Sequence, residues 1–234
     1  MSLREVLLSG AAEWGLELSP SALESFEAYY ALLSEANRVM DLTAVMGEEE
    51  TARRHFLDSL SLLRFADLRD ARLIDVGSGA GFPGLPLKLA EPSIRLTLLD
   101  AQQKRVDFLS SLCEKLGVSV RCVHARAEEA ALEASERDSY DYAVSRAVAR
   151  LNMLAELCLP FVRPGGAFLA MKARDCSEEL AEAENALRRL GARTEKLERF
   201  NVAEVERALI VIRKTGPTPK GYPRRFAKIK KDPL

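Results

Sequence analysis

Two features of the sequence have residue types and spacing that could do chemistry. The first is the stretch 73–84, LIDVGSGAGFPG, in which Gly77, Gly79, Gly81 and Gly84 follow a short apolar run broken by one acid, Asp75. Glycines so close together let the main chain take positive φ and let a ligand approach backbone groups with no Cβ in the way. The second is Asp100, which ends the apolar run 96–99. A carboxylate there can accept hydrogen bonds from both hydroxyls of a ribose. A dinucleotide fingerprint needs a third glycine at the sixth position counted from Gly77, and that position is Phe82. The substitution disfavours a pyrophosphate loop, and with it a nicotinamide-dependent oxidoreductase. GxGxG with a strand-end acid suits a nucleoside cofactor that has no phosphate, S-adenosylmethionine, whose amino-acid end needs backbone donors and acceptors at close range.

Other candidates are placed by position. Arg146 and Lys172 both end predicted strands on the ligand side, where strand-terminal residues collect around a bound group. His55, with Arg53, Arg54 and Asp58 within one helical turn, reads as a packing or hydrogen-bonded residue rather than a catalyst, because one unpaired imidazole carries no mechanism. Cys113, Cys122, Cys158 and Cys176 are scattered without a CxxC pair, and His55 and His124 are the only histidines. No zinc spacing exists, so no metal is expected and the thiols read as core residues. The net charge of −1 hides an asymmetry: residues 213–234 hold eight basic residues against one acid, Asp232. Arg224, Arg225, Lys228, Lys230 and Lys231 in that end are where a polyanion would dock, a nucleic acid among them.

Periodicity identifies the elements that must position these residues. Residues 1–70 read as a helical extension packed on the remainder of the chain. One helix is announced by Ser19-Pro20 and runs to Met40; a second is announced by Gly47 before Glu48, Glu49 and Glu50. From Arg72 the pattern turns to alternation, with strands expected at 73–76, 94–99, 118–123, 141–145, 166–171, 193–200 and 207–213 and helices between the first six. That order implies an α/β fold with a doubly wound, mostly parallel, seven-stranded sheet over residues 71–213. The link between the last two strands is too short for a crossover, so they should form an antiparallel hairpin. Residues 214–234, rich in Pro, Gly and Lys, read as an extended basic tail with no core of its own. A composition of 47% hydrophobic and 29% charged residues is that of an ordinary globular chain. Apolar runs are too short for a membrane span and the N-terminus has charges where a signal peptide needs an unbroken apolar core, so a cytoplasmic location is expected.

Several short motifs in order carry a family resemblance: Asp41-Leu42-Thr43-Ala44, then Arg54-His55-Phe56-Leu57-Asp58-Ser59-Leu60, the glycine loop from Asp75 to Gly84, Ser145-Arg146-Ala147, Met171-Lys172 and Tyr222-Pro223-Arg224-Arg225. With these the chain resembles the bacterial 16S ribosomal RNA guanine-N7 methyltransferases, also called glucose-inhibited division protein B. The resemblance implies a monomeric, Rossmann-like class I methyltransferase that uses S-adenosylmethionine to modify one guanine in the decoding region of 16S ribosomal RNA in the small subunit. By matching motif, Gly77 and Phe82, with the loop glycines Gly79 and Gly81, would line the methionine end of the cofactor. Asp100, Ala101 and Gln102 would hold the ribose, Ala127 and Glu128 would bracket the adenine, and Arg146 would face the active site. Two positions depart from the family pattern: Asp41 stands for the usual asparagine, and Phe226-Ala227-Lys228-Ile229 for a continuation containing glycine and proline. Guanine N7 carries an in-plane lone pair and no proton at neutral pH, so its methylation needs no general base. Arg146 and Lys172 then fit better as holders of the cofactor carboxylate, guanine O6 or a phosphate than as bases. The remaining alternatives are a methyltransferase for another substrate and a non-catalytic ribosome-associated module.

Overall fold

The structure is a computed structural model and describes residues 1–146, 149–173 and 175–234. Seven strands, β1 (Arg72–Val76), β2 (Arg95–Asp100), β3 (Arg121–His124), β4 (Tyr140–Arg146), β5 (Val162–Ala173), β6 (Ala192–Val202) and β7 (Val205–Lys214), form one sheet in the order β3-β2-β1-β4-β5-β7-β6. All pairs from β3 through β5 are parallel, and β7 runs antiparallel to both β5 and β6. The expected hairpin is present, and β7 is the one reversed strand. Chain order changes direction at β1, which lies between β2 and β4, and the loops after these three strands open at the same carboxyl end, where ligands of doubly wound sheets bind.

β1 is apolar on both faces, as a central parallel strand must be. Leu73 joins the layer formed with helices Gly84–Ala90 and Gln103–Lys115, whereas Ile74 and Val76 join the layer formed with Leu151–Cys158 and Ser177–Arg189. The N-terminal helices add Phe26, Tyr29, Phe56 and Leu60 to the first layer. Helix Pro20–Met40 starts as its sequence directs, with Ser19 Oγ accepting from Ala22 N at 3.1 Å and Pro20 in the first turn. It ends on Asp41 in the left-handed region at φ 46°. Asp and Asn both tolerate that conformation, so the Asp41 that departs from the resemblance's expected asparagine fits the helix end equally well.

Two parts of the chain differ from expectation. The second N-terminal helix is not uniform: Glu48–Thr51 passes through a π-helical stretch, Ala52–Leu57, into Asp58–Leu60 and a 3₁₀ turn, Ser61–Arg64. Wide π turns re-aim side chains within a helix and recur at functional sites, and His55 lies inside this one.

The C-terminal segment is also not a free extended tail. It is docked along its length and ends in a short helix, Phe226–Lys231, whose Ile229 is fully buried. Lys214 Nζ, itself fully buried, donates to Asp138 Oδ1, Thr218 Oγ1, Leu159 O and Val162 O. Arg137 holds the carbonyls of Thr218, Pro219 and Tyr222. Arg224 grips the buried carboxylate of Glu156. Composition treats such cations as a solvated run, but two of them are counterions for acids on other elements. No helix among the described residues is long and apolar enough to cross a membrane.

Candidate active site

The glycine loop leaves β1 at Val76 and is tied to the end of β2 by main-chain bonds: Gly77 N and Ser78 N donate to Leu99 O at 2.8 and 3.1 Å. Asp100 completes the connection. Its Oδ2 accepts from Gly79 N at 3.0 Å and its Oδ1 from Gln102 N at 2.9 Å, while Arg105 Nη1 stands 3.5 Å from Oδ2. These groups form one wall of a cavity of about 440 Å³, to which Gly77, Ser78, Gly79, Ala80, Ala101 and Gln102 contribute. At Gly79, φ is +59° and the space a Cβ would fill is open, its nearest neighbour being Gly77 O at 4.0 Å. A close-approaching ligand is what such a bare backbone accommodates. The open cavity, the bare backbone at Gly79 and the strand-end carboxylate fit the amino-acid and ribose ends of S-adenosylmethionine.

The other two glycines serve the interior, which corrects the expectation for Gly81. A Cβ on Gly81 would stand 2.5 Å from the hydroxyl of Tyr29, and one on Gly84 would stand 2.9 Å from Asp75 Cβ. Tyr29 is fully buried and donates to Ala80 O at 2.7 Å, so the N-terminal helix clamps the loop from behind. Asp75 Oδ2 accepts from Gly84 N at 2.7 Å, and Oδ1 has no partner among the described residues. Burial raises the Asp75 carboxyl to about 7, against which the Gly84 hydrogen bond works only in part.

The rest of the lining is assembled from Leu42, Thr43, His55 and Arg146, side chains of distant segments, together with Phe82 at the end of the glycine loop. Phe82 is packed against Tyr29, Phe56 and His55, with the His55 ring stacked at 4.4 Å. The Arg146 guanidinium carbon lies 5.0 Å from the Phe82 ring centre. Arg146 Nη1 donates to Asp58 Oδ2 at 2.9 Å and Arg54 O at 3.1 Å, and Nη2 contacts His55 Nδ1 at 3.1 Å. Nδ1 lies 3.1 Å from both the Arg146 Nη2 donor and the Arg54 carbonyl acceptor, and Nε2 lies 2.7 Å from Thr43 Oγ1. Burial and the adjacent Arg146 charge lower His55 to about 4, which keeps the ring neutral. Thr43 is itself held by Asn37, which bonds both its N–H and its carbonyl.

The remaining expected residues lie elsewhere. Lys172 Nζ is engaged by Glu179 and by Ala149 O at 2.9 Å, and it does not line the cavity. Ala127 and Glu128 open the short helix after β3, outside the cavity wall. Arg224 is turned inward onto Glu156, whereas Arg225, Lys228, Lys230 and Lys231 are exposed. Ala147 of the Ser145-Arg146-Ala147 motif lies outside the described residues. Sequence reasoning misses Asp58 and Thr43 as parts of the site, and weighs His55 only as packing. The available signal is their place in the two N-terminal motifs that carry the resemblance.

Residues 22–210 match the family described as rRNA small subunit methyltransferase G. A curated "Ribosomal RNA small subunit methyltransferase G" from Acetivibrio thermocellus is 42% identical over 237 residues, covering 100% of this chain and 98% of that protein. One of the same name from Lachnoclostridium phytofermentans is 45% identical over 231 residues, covering 97% and 96%. Among solved structures, TrmN from Thermus thermophilus superposes with a TM-score of 0.54 at 20% identity, over 76% of this chain and 53% of that one. A methyltransferase described as SAM dependent, from Aquifex aeolicus, gives 0.51 at 17%, over 69% and 92%. The [4+2]-cyclase SpnF gives 0.58 at 16%, over 86% and 98%. With a cyclase on the same fold, these likenesses speak to architecture alone.

Proposed function

The chain belongs to the rRNA small subunit methyltransferase G family, and on that premise we propose that it transfers a methyl group from S-adenosylmethionine to N7 of a guanine in the decoding region of 16S ribosomal RNA. The observation that carries this reading is the two-walled cavity, with bare backbone and Asp100 on one side and a neutral histidine beside an arginine on the other. When bound, the cofactor supplies an electrophilic methyl carbon. Gly77 and Gly79 offer main chain to its methionine end, Asp100 with Ala101 and Gln102 offers a carboxylate to the ribose, and Ala127 and Glu128 open the short helix after β3 for the adenine. Guanine enters between Leu42-Thr43 and Arg146. N7 has no proton to lose, so this wall needs no base, and none of its residues is poised as one. Its task is orientation, with the reacting atoms held about 3–3.5 Å apart. Arg146 serves as a donor toward guanine O6 or a phosphate. Lys172, tied to Glu179, supports β5 and the helix Ser177–Arg189.

RNA is held first by charge. Arg225, Lys228, Lys230 and Lys231 project from the docked terminal helix, next to Arg126, whose guanidinium lies 5.9 Å from the Phe226 ring centre. The same reading makes the enzyme a cytoplasmic monomer acting on 16S RNA or the small subunit, and the chemistry calls for no metal. Reduction and aniline cleavage of small-subunit RNA from cells with and without the gene tests the assignment, because the chain breaks at N7-methylated guanine. An extra break in the gene-positive RNA is expected; identical patterns would overturn the substrate.

A further inference from the structure

Asp58 stands behind the cavity wall, not in it, and it is almost fully buried. Its Oδ2 accepts from Arg146 Nη1 at 2.9 Å and its Oδ1 from Arg207 Nε at 2.6 Å. The partners are 88 and 149 residues away in sequence, on β4 and β7, so one carboxylate fastens the N-terminal segment to two strands of the sheet. Among the described residues Asp58 is the one acid paired with Arg146. The other groups that direct this guanidinium, Arg54 O, the neutral His55 ring and the Phe82 face, carry no net charge. A partly buried cation whose one paired acid is removed is drawn toward solvent, so the orientation of Arg146 depends on Asp58 in a way it does not depend on any single other contact.

We propose that Asp58 is a positioning residue for methyl transfer, acting through Arg146. The inference rests on the role given to Arg146 above. Two guanidiniums share one carboxylate, which leaves a surplus positive charge beside the cavity. Removing Asp58's charge therefore increases the local attraction for an anionic RNA while it frees Arg146 from its productive direction. A role confined to folding would lower all parameters together, or none once the folded fraction is corrected for.

The test is a double-mutant cycle on the full chain. Methyl incorporation into small ribosomal subunits from cells lacking the gene is followed, and calorimetry reports S-adenosylmethionine affinity. Asp58→Asn should lower kcat by about 100-fold, the effect of misplacing a reacting group by about 1 Å. Cofactor Kd should stay within about 3-fold and KM for the subunit should not rise, because removing a negative charge leaves the attraction for RNA undiminished. In the Arg146→Ala background Asp58→Asn should change kcat by less than about 3-fold. Asp58→Glu keeps the charge and should recover part of the lost kcat. If Asp58→Asn does not fold, Asp58→Glu takes its place in the cycle, where displacement of Arg146 by one methylene lowers kcat only if position is what matters. Wild-type kcat in the Asp58 variant, or a full Asp58 effect in the Arg146→Ala background, would overturn the inference. Wild-type kcat in Arg146→Ala alone would overturn instead the role given to Arg146.

Discussion

The two walls of the cavity are built on different principles. The glycine-loop wall comes from one short strand–loop–strand unit, and its groups are main-chain N–H donors and one carboxylate that orders them. The Arg146 wall is made from side chains of the turn at Thr43, the π-helical stretch around His55 and the end of β4, with Arg207 of β7 behind it. The first wall can form as soon as β1 and β2 pair. The second exists only when the whole chain has folded, so a local motif can specify the donor site while tertiary packing specifies what meets it.

The largest effects should separate the walls by what each one loses. Gly79→Val places a branched side chain at φ +59° in the open space facing the cavity. Calorimetry should show cofactor affinity reduced by at least about 100-fold from strain and lost approach combined. Arg146→Ala should leave cofactor Kd within about 3-fold and lower kcat by about 100-fold. If both variants lost cofactor binding equally, the two walls would be one functional unit and the distinction would fail.

The same division decides what can be read from the sequence. Asp75, the glycine loop and Asp100 are legible because their contacts are local and glycine spacing reports backbone geometry directly. The sheet is legible through its alternation of strands and helices, and the reversed strand β7 through a link too short to cross over. The role of Gly81 is hidden because the hydroxyl that demands a glycine there belongs to Tyr29, whose helix has no local tie to the loop. Asp58 is invisible for the same reason: its partners are far along the chain. The docking of the C-terminal segment escapes composition, which cannot show that Arg224 and Lys214 have acidic partners waiting on other elements.

Asp75, behind the glycine loop, and His55, in the Arg146 wall, have displaced pKa values, and the displacements oppose one another in their effect on stability. Asp75, raised to about 7, is stabilised as the neutral acid in the fold, so its contribution is complete below the unfolded value near 4 and is lost as pH rises to about 7. His55, lowered to about 4, is stabilised as the neutral ring, so its contribution is complete above the unfolded value near 6.5 and is lost as pH falls to about 4. The limits are about 4 kcal/mol for Asp75 and about 3 kcal/mol for His55. Between pH 4 and 7 the two trends offset each other in the native protein. His55→Gln should therefore expose a stability that falls with rising pH, and Asp75→Asn one that rises, measured by urea unfolding across that range. Parallel pH profiles for both variants would break the pairing.

The smallest effect concerns the clamp that joins the walls from behind. Tyr29→Phe keeps the ring packed on Phe82 and Phe56 but removes the hydrogen bond to Ala80 O. A buried carbonyl deprived of its donor costs about 1–3 kcal/mol, moderated here if the loop turns Ala80 toward the cavity. That turn would disturb the adjacent backbone of Gly79, so Tyr29→Phe should weaken cofactor binding a few-fold while leaving the pH dependence of His55 unchanged. An unchanged cofactor Kd together with the stability loss would mean that the loop holds its shape through Leu99 and Asp100 alone. The N-terminal helices would then support only the Arg146 wall.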